Sequence, residues 1–332
     1  MKSLIQKLVE TAGPPGYEAQ IRTVIRHEIE SHADQVWVDA LGNLIARKDV
    51  KNSNGMKIML AAHMDEIGII VTHIEENGFA RFTSLGGIHP EYLAGGRVRF
   101  LDGAIGVINM ERRENPGALP ALEQMYLDLG ATSRKTCPVR VADVAVMEQP
   151  FLDMGARLVS KAMDDRVGAT VLIETLQHVA DSPHELYFVF SVQEEVGIRG
   201  ATTAAYAINP DLGIAIDVTR TGDTPNCKKM EVSLGKGPAI KVRDGGMLSD
   251  PRVVDWMVRR AESAHIPYQL EILEGGTTDA RAIQIAREGV PAGCLSIPCR
   301  YVHAPSEMVD YGDVQDTVRL LAELLSQPID LK

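Results

Sequence analysis

The sequence predicts an α/β fold interrupted by a small β-rich insert, and three features of its patterning say so. At both ends of the chain, helical apolar periodicity alternates with short, nearly continuous apolar runs, the rhythm of strands covered on both faces by helices. Between about residues 70 and 155 this gives way to short alternating segments rich in glycine and charge. No repeat, low-complexity tract or long linker interrupts the 332 residues.

Taken in order, Leu4, Ile5, Leu8 and Val9 fall at helical spacing, so the chain starts on an amphipathic helix and not on the apolar core of a signal peptide. Gly13-Pro14-Pro15-Gly16 is a turn, and Ile21, Val24, Ile25 and Ile29 give a helix over 18–30 its apolar face. Residues 36–39 and 44–46 flank Gly42-Asn43 as a hairpin, and 57–62 is a strand buried on both faces. Within the insert, 69–72, 98–100, 104–108 and 144–146 read as strands. The stretch 117–130, with Leu122, Met125, Leu127 and Leu129, is expected to hold a helix. After the segment 158–161 the α/β rhythm returns, with a helix over 166–179, a strand over 185–192, a helix over 200–207 and a strand over 212–216. Helices at 251–265 and 279–288, a strand at 292–297 and a last helix ending near Leu325 complete the chain.

Composition narrows the partners. A net charge of −11 with no basic stripe excludes phosphate neutralisation, hence nucleic acid. No apolar stretch approaches the length of a membrane span. Cys137, Cys227, Cys294 and Cys299 form no CxxC pair and no disulfide framework, so a reducing, cytoplasmic setting is expected, with Cys294 and Cys299 as buried thiols.

What stands past each predicted strand carries chemistry. His63, Asp65 and Glu66 follow 57–62, Glu194 and Glu195 follow 185–192, Asp217 follows 212–216, and His303 closes the loop after 292–297. Open α/β sheets bind ligands beyond the carboxyl ends of their strands. Asp164 and Asp165 arrive at the start of the 166–179 helix, where a helix cap alone would account for them. Singly, each of these is an ordinary turn, cap or packed residue. Together they crowd carboxylates whose mutual repulsion calls for cations. Mixed imidazole and carboxylate donors suit Zn²⁺, Co²⁺ or Mn²⁺ better than Ca²⁺ or Mg²⁺. Two histidines and three acids suffice for two divalent ions about 3.5–4 Å apart, with a further acid free to take a proton from water.

Six segments occur in an order that resembles one family: Ala62-His63-Met64-Asp65-Glu66-Ile67-Gly68, Lys161-Ala162-Met163-Asp164-Asp165-Arg166, Glu194-Glu195-Val196-Gly197, Ala215-Ile216-Asp217, Gly275-Gly276-Thr277-Thr278-Asp279 and His303-Ala304-Pro305-Ser306-Glu307. They look like the motifs of the glutamyl, deblocking and tetrahedral aminopeptidases, dinuclear metallopeptidases, and the resemblance covers essentially the whole chain. It implies a mixed-sheet catalytic domain of the zinc-aminopeptidase type, from residues 1–68 and 160–332, with a PDZ-like β-barrel inserted at 69–159 that contributes to oligomer contacts. It assigns His63 and Asp217 to one metal, Glu195 and His303 to the other, Asp164 to both, and the general base to Glu194. Asp65 would receive the other ring N–H of His63 and fix its tautomer. Thr278 and Asp279 match the family's substrate-side loop, although a helix cap explains them as well. Arg300, near the site, either favours an acidic substrate residue or forms a structural ion pair. Members build large self-compartmentalised assemblies, often dodecamers that admit only peptides, so peptide substrates and a homo-oligomer are expected here.

Two other readings compete. Glycoside hydrolysis needs two carboxylates flanking a sugar and leaves His63 and His303 without a role. A non-catalytic scaffold of the same fold should lack a ligand or the base, and here all six positions are filled.

Overall fold

The computed structural model describes residues 1–49, 55–112, 120–179 and 182–331. Two helices, α1 (Lys2–Glu10) and α2 (Ala19–Ile29), lead into the hairpin β1 (Gln35–Val38) and β2 (Leu44–Lys48), then β3 (Lys57–His63). The strands β4 (Gly68–Ile74), β5 (Ala80–Leu85), β6 (Arg97–Phe100), β7 (Ile105–Met110), β8 (Met125–Asp128) and β9 (Val144–Met147) follow. The chain then returns through β10 (Leu152–Asp153) and β11 (Arg157–Ser160) to α3 (Met163–His178), β12 (Glu185–Ser191), α4 (Arg199–Ile208) and β13 (Leu212–Thr219). Last come β14 (Ala239–Arg243), α5 (Pro251–Ser263), β15 (Gln269–Ile272), α6 (Asp279–Gln284), β16 (Ala292–Arg300), β17 (Glu307–Asp310) and α7 (Tyr311–Leu325).

Among the described residues, eleven strands form one sheet whose main path runs β1-β2-β12-β3-β13-β16-β17-β11-β10, with β14 and β15 joining at β16. The four central strands, β12, β3, β13 and β16, are mutually parallel. Their apolar runs are buried on both faces because helices cover both sides. Ile5, Leu8, Ile21, Ile25, Leu172, Trp256 and Leu321 pack on one face, in the main core. The shorter α4 and α6 contribute Ala204, Ala205, Ile208 and Ile283 to the core on the other.

The strands β4 to β9 close into a separate barrel, in the order β4-β5-β8-β7-β6-β9, with its own core of Ile69, Val71, Phe82, Val98, Phe100, Ile108, Met125 and Leu127. Here the expected helix over 117–130 is corrected: Met125 and Leu127 are buried while Asp128 is exposed, a period of two, and β8 pairs with β7 and β5. Leu122 sits in a short 3₁₀ turn before it, and residues 117–119 lie outside the described residues.

Two strands run further than their apolar cores indicate. Parallel pairing of Asp217 with Ser296 and of Thr219 with Pro298 keeps β13 and β16 extended, so Asp217 lies inside its strand instead of just beyond it. The last helix before β16 is shorter than expected, ending at Gln284. No helix among the described residues is long and apolar enough to cross a membrane. The four cysteines are free, with Cys294 and Cys299 buried.

Candidate metal centre

Because the central strands are parallel, their carboxyl ends lie side by side. His63 ends β3, Asp217 lies near the end of β13, Glu194 and Glu195 follow β12, and His303 sits in the loop between β16 and β17. Asp164 reaches the same place from the start of α3, where Asp164 and Asp165 depart from helical backbone angles and their peptide bond is cis.

The side chains converge in two clusters that share one residue. His63, Asp164 and Asp217 each offer a donor atom within 4.8 Å of the others, as do Asp164, Glu195 and His303. Asp164 Oδ1 lies 3.0 Å from His63 Nε2, and its Oδ2 lies 3.2 Å from His303 Nε2. Donor atoms bound about 2.1 Å from one tetrahedral cation stand roughly 3.4 Å apart, close to these separations. Glu195 Oε1 is 3.2 Å from His303 Nε2 but off the hydrogen-bonding direction, and it is buried without a donor. An orphaned carboxylate oxygen facing an imidazole and a shared aspartate fits a cation better than it fits a finished hydrogen-bond network.

The charge balance points the same way. Burial pushes the Asp217 carboxyl well above the usual carboxylate range, with Asp164 adding repulsion. Burial does the same to Glu194, against the pull of His63, and raises Glu195, against the pull of His303. Asp164 differs: burial opposes its charge, yet the imidazoles of His303 and His63 beside it hold it well below that range. A pocket with this many carboxylates stays anionic only if positive charge is supplied.

The supports around these residues are specific. His63 Nδ1 is 3.1 Å from the backbone oxygen of Asp65 and 3.6 Å from its carboxylate, so the main chain is the nearer acceptor of the ring N–H. The Asp65 carboxylate is engaged elsewhere, accepting the backbone N–H groups of Glu194 at 3.0 Å and Glu195 at 3.1 Å. Glu18 accepts the neighbouring N–H of Gln193. Three consecutive amides of the Glu194–Glu195 loop are thus held by two buried carboxylates. Asp165 accepts the N–H of Gly168, a cap. Arg166 donates to the carbonyl of Thr11 and pairs, with Lys161, to the buried Glu66.

Thr278 caps α6, its hydroxyl accepting from Ala280 N at 3.3 Å. Asp279 is buried and receives a hydrogen bond from Ser191. Arg300 forms a fork with Asp223. Thr278 and Arg300 line the cavity of about 1480 Å³ that opens on the centre, as does His89 of the barrel segment. Sequence reasoning gave no role to Glu307, whose carboxylate accepts N–H groups from both Asp164 and His303, although it closes the last of the six motifs. It also missed the barrel's Gly86-Gly87 turn, which packs against Glu195 and His303.

The M42 glutamyl aminopeptidase family model matches residues 42–320. A lysyl aminopeptidase of Pyrococcus furiosus is 36% identical over 98% of each chain. A solved aminopeptidase of Desulfurococcus kamchatkensis is 39% identical, covering 98% of this chain and 94% of its own, with a TM-score of 0.93. The TET1 peptidase of Pyrococcus horikoshii, described as assembling into a tetrahedron or a large octahedral shell, is 30% identical over 98% of this chain and 99% of its own, with a TM-score of 0.89.

Proposed function

The chain belongs to the M42 glutamyl aminopeptidase family and is a metal-dependent aminopeptidase, and from that premise we propose that its centre holds two divalent cations, Zn²⁺, Co²⁺ or Mn²⁺, and removes the N-terminal residue of peptides. In this reading His63 and Asp217 hold one ion, Glu195 and His303 the other, and Asp164 both. The observation that carries it is the convergence of two imidazoles on opposite oxygens of the Asp164 carboxylate.

Cations bound there would polarise the scissile carbonyl and lower the pKa of an attacking water. The rest of the chemistry falls to the chain's own groups. Glu194, close to the cluster but outside both donor sets, accepts the proton of the attacking water and delivers it to the departing amine. Asp65 positions it by holding two adjacent amides. Glycoside hydrolysis gives the paired imidazoles no work and is set aside.

The catalytic unit is assigned to residues 1–68 and 160–332, with 69–159 as the insert. In support, the barrel has a core of its own; against the end of the insert at 159, β10 and β11 already pair in the large sheet. A homo-oligomer, the dodecamer included, is proposed by analogy with the shells described for the P. horikoshii peptidase. Free cysteines accord with a cytoplasmic setting.

The test is to strip metal with a chelator, then assay aminoacyl-p-nitroanilides with free and with acetylated amines. Activity on the free amines alone should vanish on stripping and return with Co²⁺, Zn²⁺ or Mn²⁺. Full activity in a preparation shown to contain no metal would overturn the reading.

A further inference from the structure

The cavity is lined in part by the residues just after Asp217, from Val218 to Thr221, and those just before His303, from Cys299 to Val302. These come from adjacent parallel strands, β13 and β16, and the segments that leave them. A peptide with its first carbonyl at the centre has to lay its first side chain within this cavity.

Of the two arginines in these segments, Arg300 is the more buried, and its charge is already engaged. Its Nε and Nη2 donate to the two oxygens of Asp223 at 2.9 and 2.8 Å, a fork-to-fork pair. Asp223 is fixed in turn by the hydroxyl of Thr221 at 2.7 Å and the backbone N–H of Leu234 at 3.0 Å. The hydrogen bonds from Arg300 hold the Asp223 carboxyl well below the usual carboxylate range. Deeper in the cavity the buried Lys241 is paired with Glu271, and at the rim Lys228 is paired with Glu274. The other charged residues that line it, such as Arg220 and Lys229, are exposed, where water screens them. Apolar side chains, including Val218, Val242, Leu273 and Val302, complete the lining.

We propose that the Asp223–Arg300 pair determines specificity by neutralising the substrate pocket, so that the enzyme prefers an uncharged, apolar N-terminal residue to an acidic or basic one; this rests on the aminopeptidase reading above. An acidic substrate side chain must compete with Asp223 for the guanidinium, and a basic one with Arg300 for the carboxylate. Removing Asp223 leaves the Arg300 guanidinium, which lines the cavity, unpaired, and removing Arg300 leaves the carboxylate behind it without its cation; either uncompensated charge favours its opposite.

The experiment compares kcat/KM for Leu-, Glu- and Lys-p-nitroanilide on metal-loaded enzyme. The wild type should favour Leu over both charged substrates by about tenfold or more. Asp223→Asn should raise the Glu-to-Leu ratio by about tenfold, and Arg300→Met the Lys-to-Leu ratio by a similar factor. The double variant should return to the apolar preference. Ratios within one variant cancel any loss of folded protein, and if one variant fails to fold the other decides. A wild type that prefers Glu or Lys, or folded variants that keep the wild-type ratios within about threefold, would overturn the proposal while leaving the peptidase reading intact. No activity on any of the three substrates with metal bound would instead overturn both.

Discussion

Glu307 Oε2 accepts the backbone N–H of Asp164 at 2.9 Å, tying the start of β17 to the residue common to both ligand clusters. Its other oxygen accepts the N–H of His303 at 2.7 Å. One buried carboxylate therefore sets the backbone of two proposed ligand residues that lie far apart in sequence. Glu307→Ala should weaken metal binding by about 10–100-fold, as loss of an outer support generally does. Competition against a chromogenic chelator measures this, and unchanged affinity would contradict the role.

Glu194 stands outside both donor sets. Glu194→Gln should therefore keep its metal content, read by elemental analysis, while turnover falls by about 10²–10⁴. Near-normal turnover would remove Glu194 from the mechanism.

A Cβ added at Gly87 would come within 2.8 Å of His303 Nδ1 and 3.0 Å of its Cε1. Either the imidazole or the barrel turn has to move. Gly87→Ala should lower kcat/KM by about tenfold to a hundredfold with little change in melting temperature, because a misplacement of about 1 Å suffices for that loss. Equal activity would mean that the turn yields instead of the ligand.

Lys241 and Glu271 form an ion pair whose side chains are both fully buried, and Thr219 donates to the same glutamate oxygen at 2.7 Å. Lys241→Met alone leaves a buried carboxylate unpaired and should cost about 3–5 kcal/mol, measured by denaturant unfolding. Replacing both with methionine should cost less than the single change. A double variant less stable than the single one would show that the pair is not the source of the loss.

His184 Nδ1 accepts the backbone N–H of Met56 at 3.2 Å, and Nε2 lies 3.0 Å from the carbonyl of Gln327. Burial lowers its pKa below the ordinary 6.5, and the hydrogen bond to Gln327 only partly offsets this. The folded chain thus binds this proton less well than the unfolded chain. The stability involved is intact above pH 6.5 and is lost as pH falls below it toward the depressed folded value. His184→Gln should flatten the decline in unfolding free energy between about pH 7 and about pH 5. An identical slope in the variant would exclude His184 as its source.

Much of this fold is legible because burial leaves a local signature. The run from Lys57 to His63 is apolar on both faces and became a central strand, and the helical faces at Ile21, Ile25 and Ile29 packed as expected. The stretch around Met125 and Leu127 misled because a few apolar residues fit either period, and only pairing with β7 and β5 selects the strand. Short elements such as the edge strand β15, and β17 between β16 and β11, carry too little apolar pattern to stand out.

The sequence by itself determined the chemical inventory: six ordered motifs, two imidazoles, the carboxylates and the residues next to them, since composition and spacing are local properties. Only the tertiary structure decided who touches whom. The order β12-β3-β13-β16 sets four distant segments side by side, and this order comes from packing between segments, not from any one of them. The same packing gave the ring of His63 a backbone acceptor at Asp65, freed that carboxylate to hold the Glu194 loop, and paired Arg300 with Asp223. Hydrogen bonds are satisfied by whatever donor or acceptor the fold brings within about 3 Å, and no spacing along the chain encodes that choice.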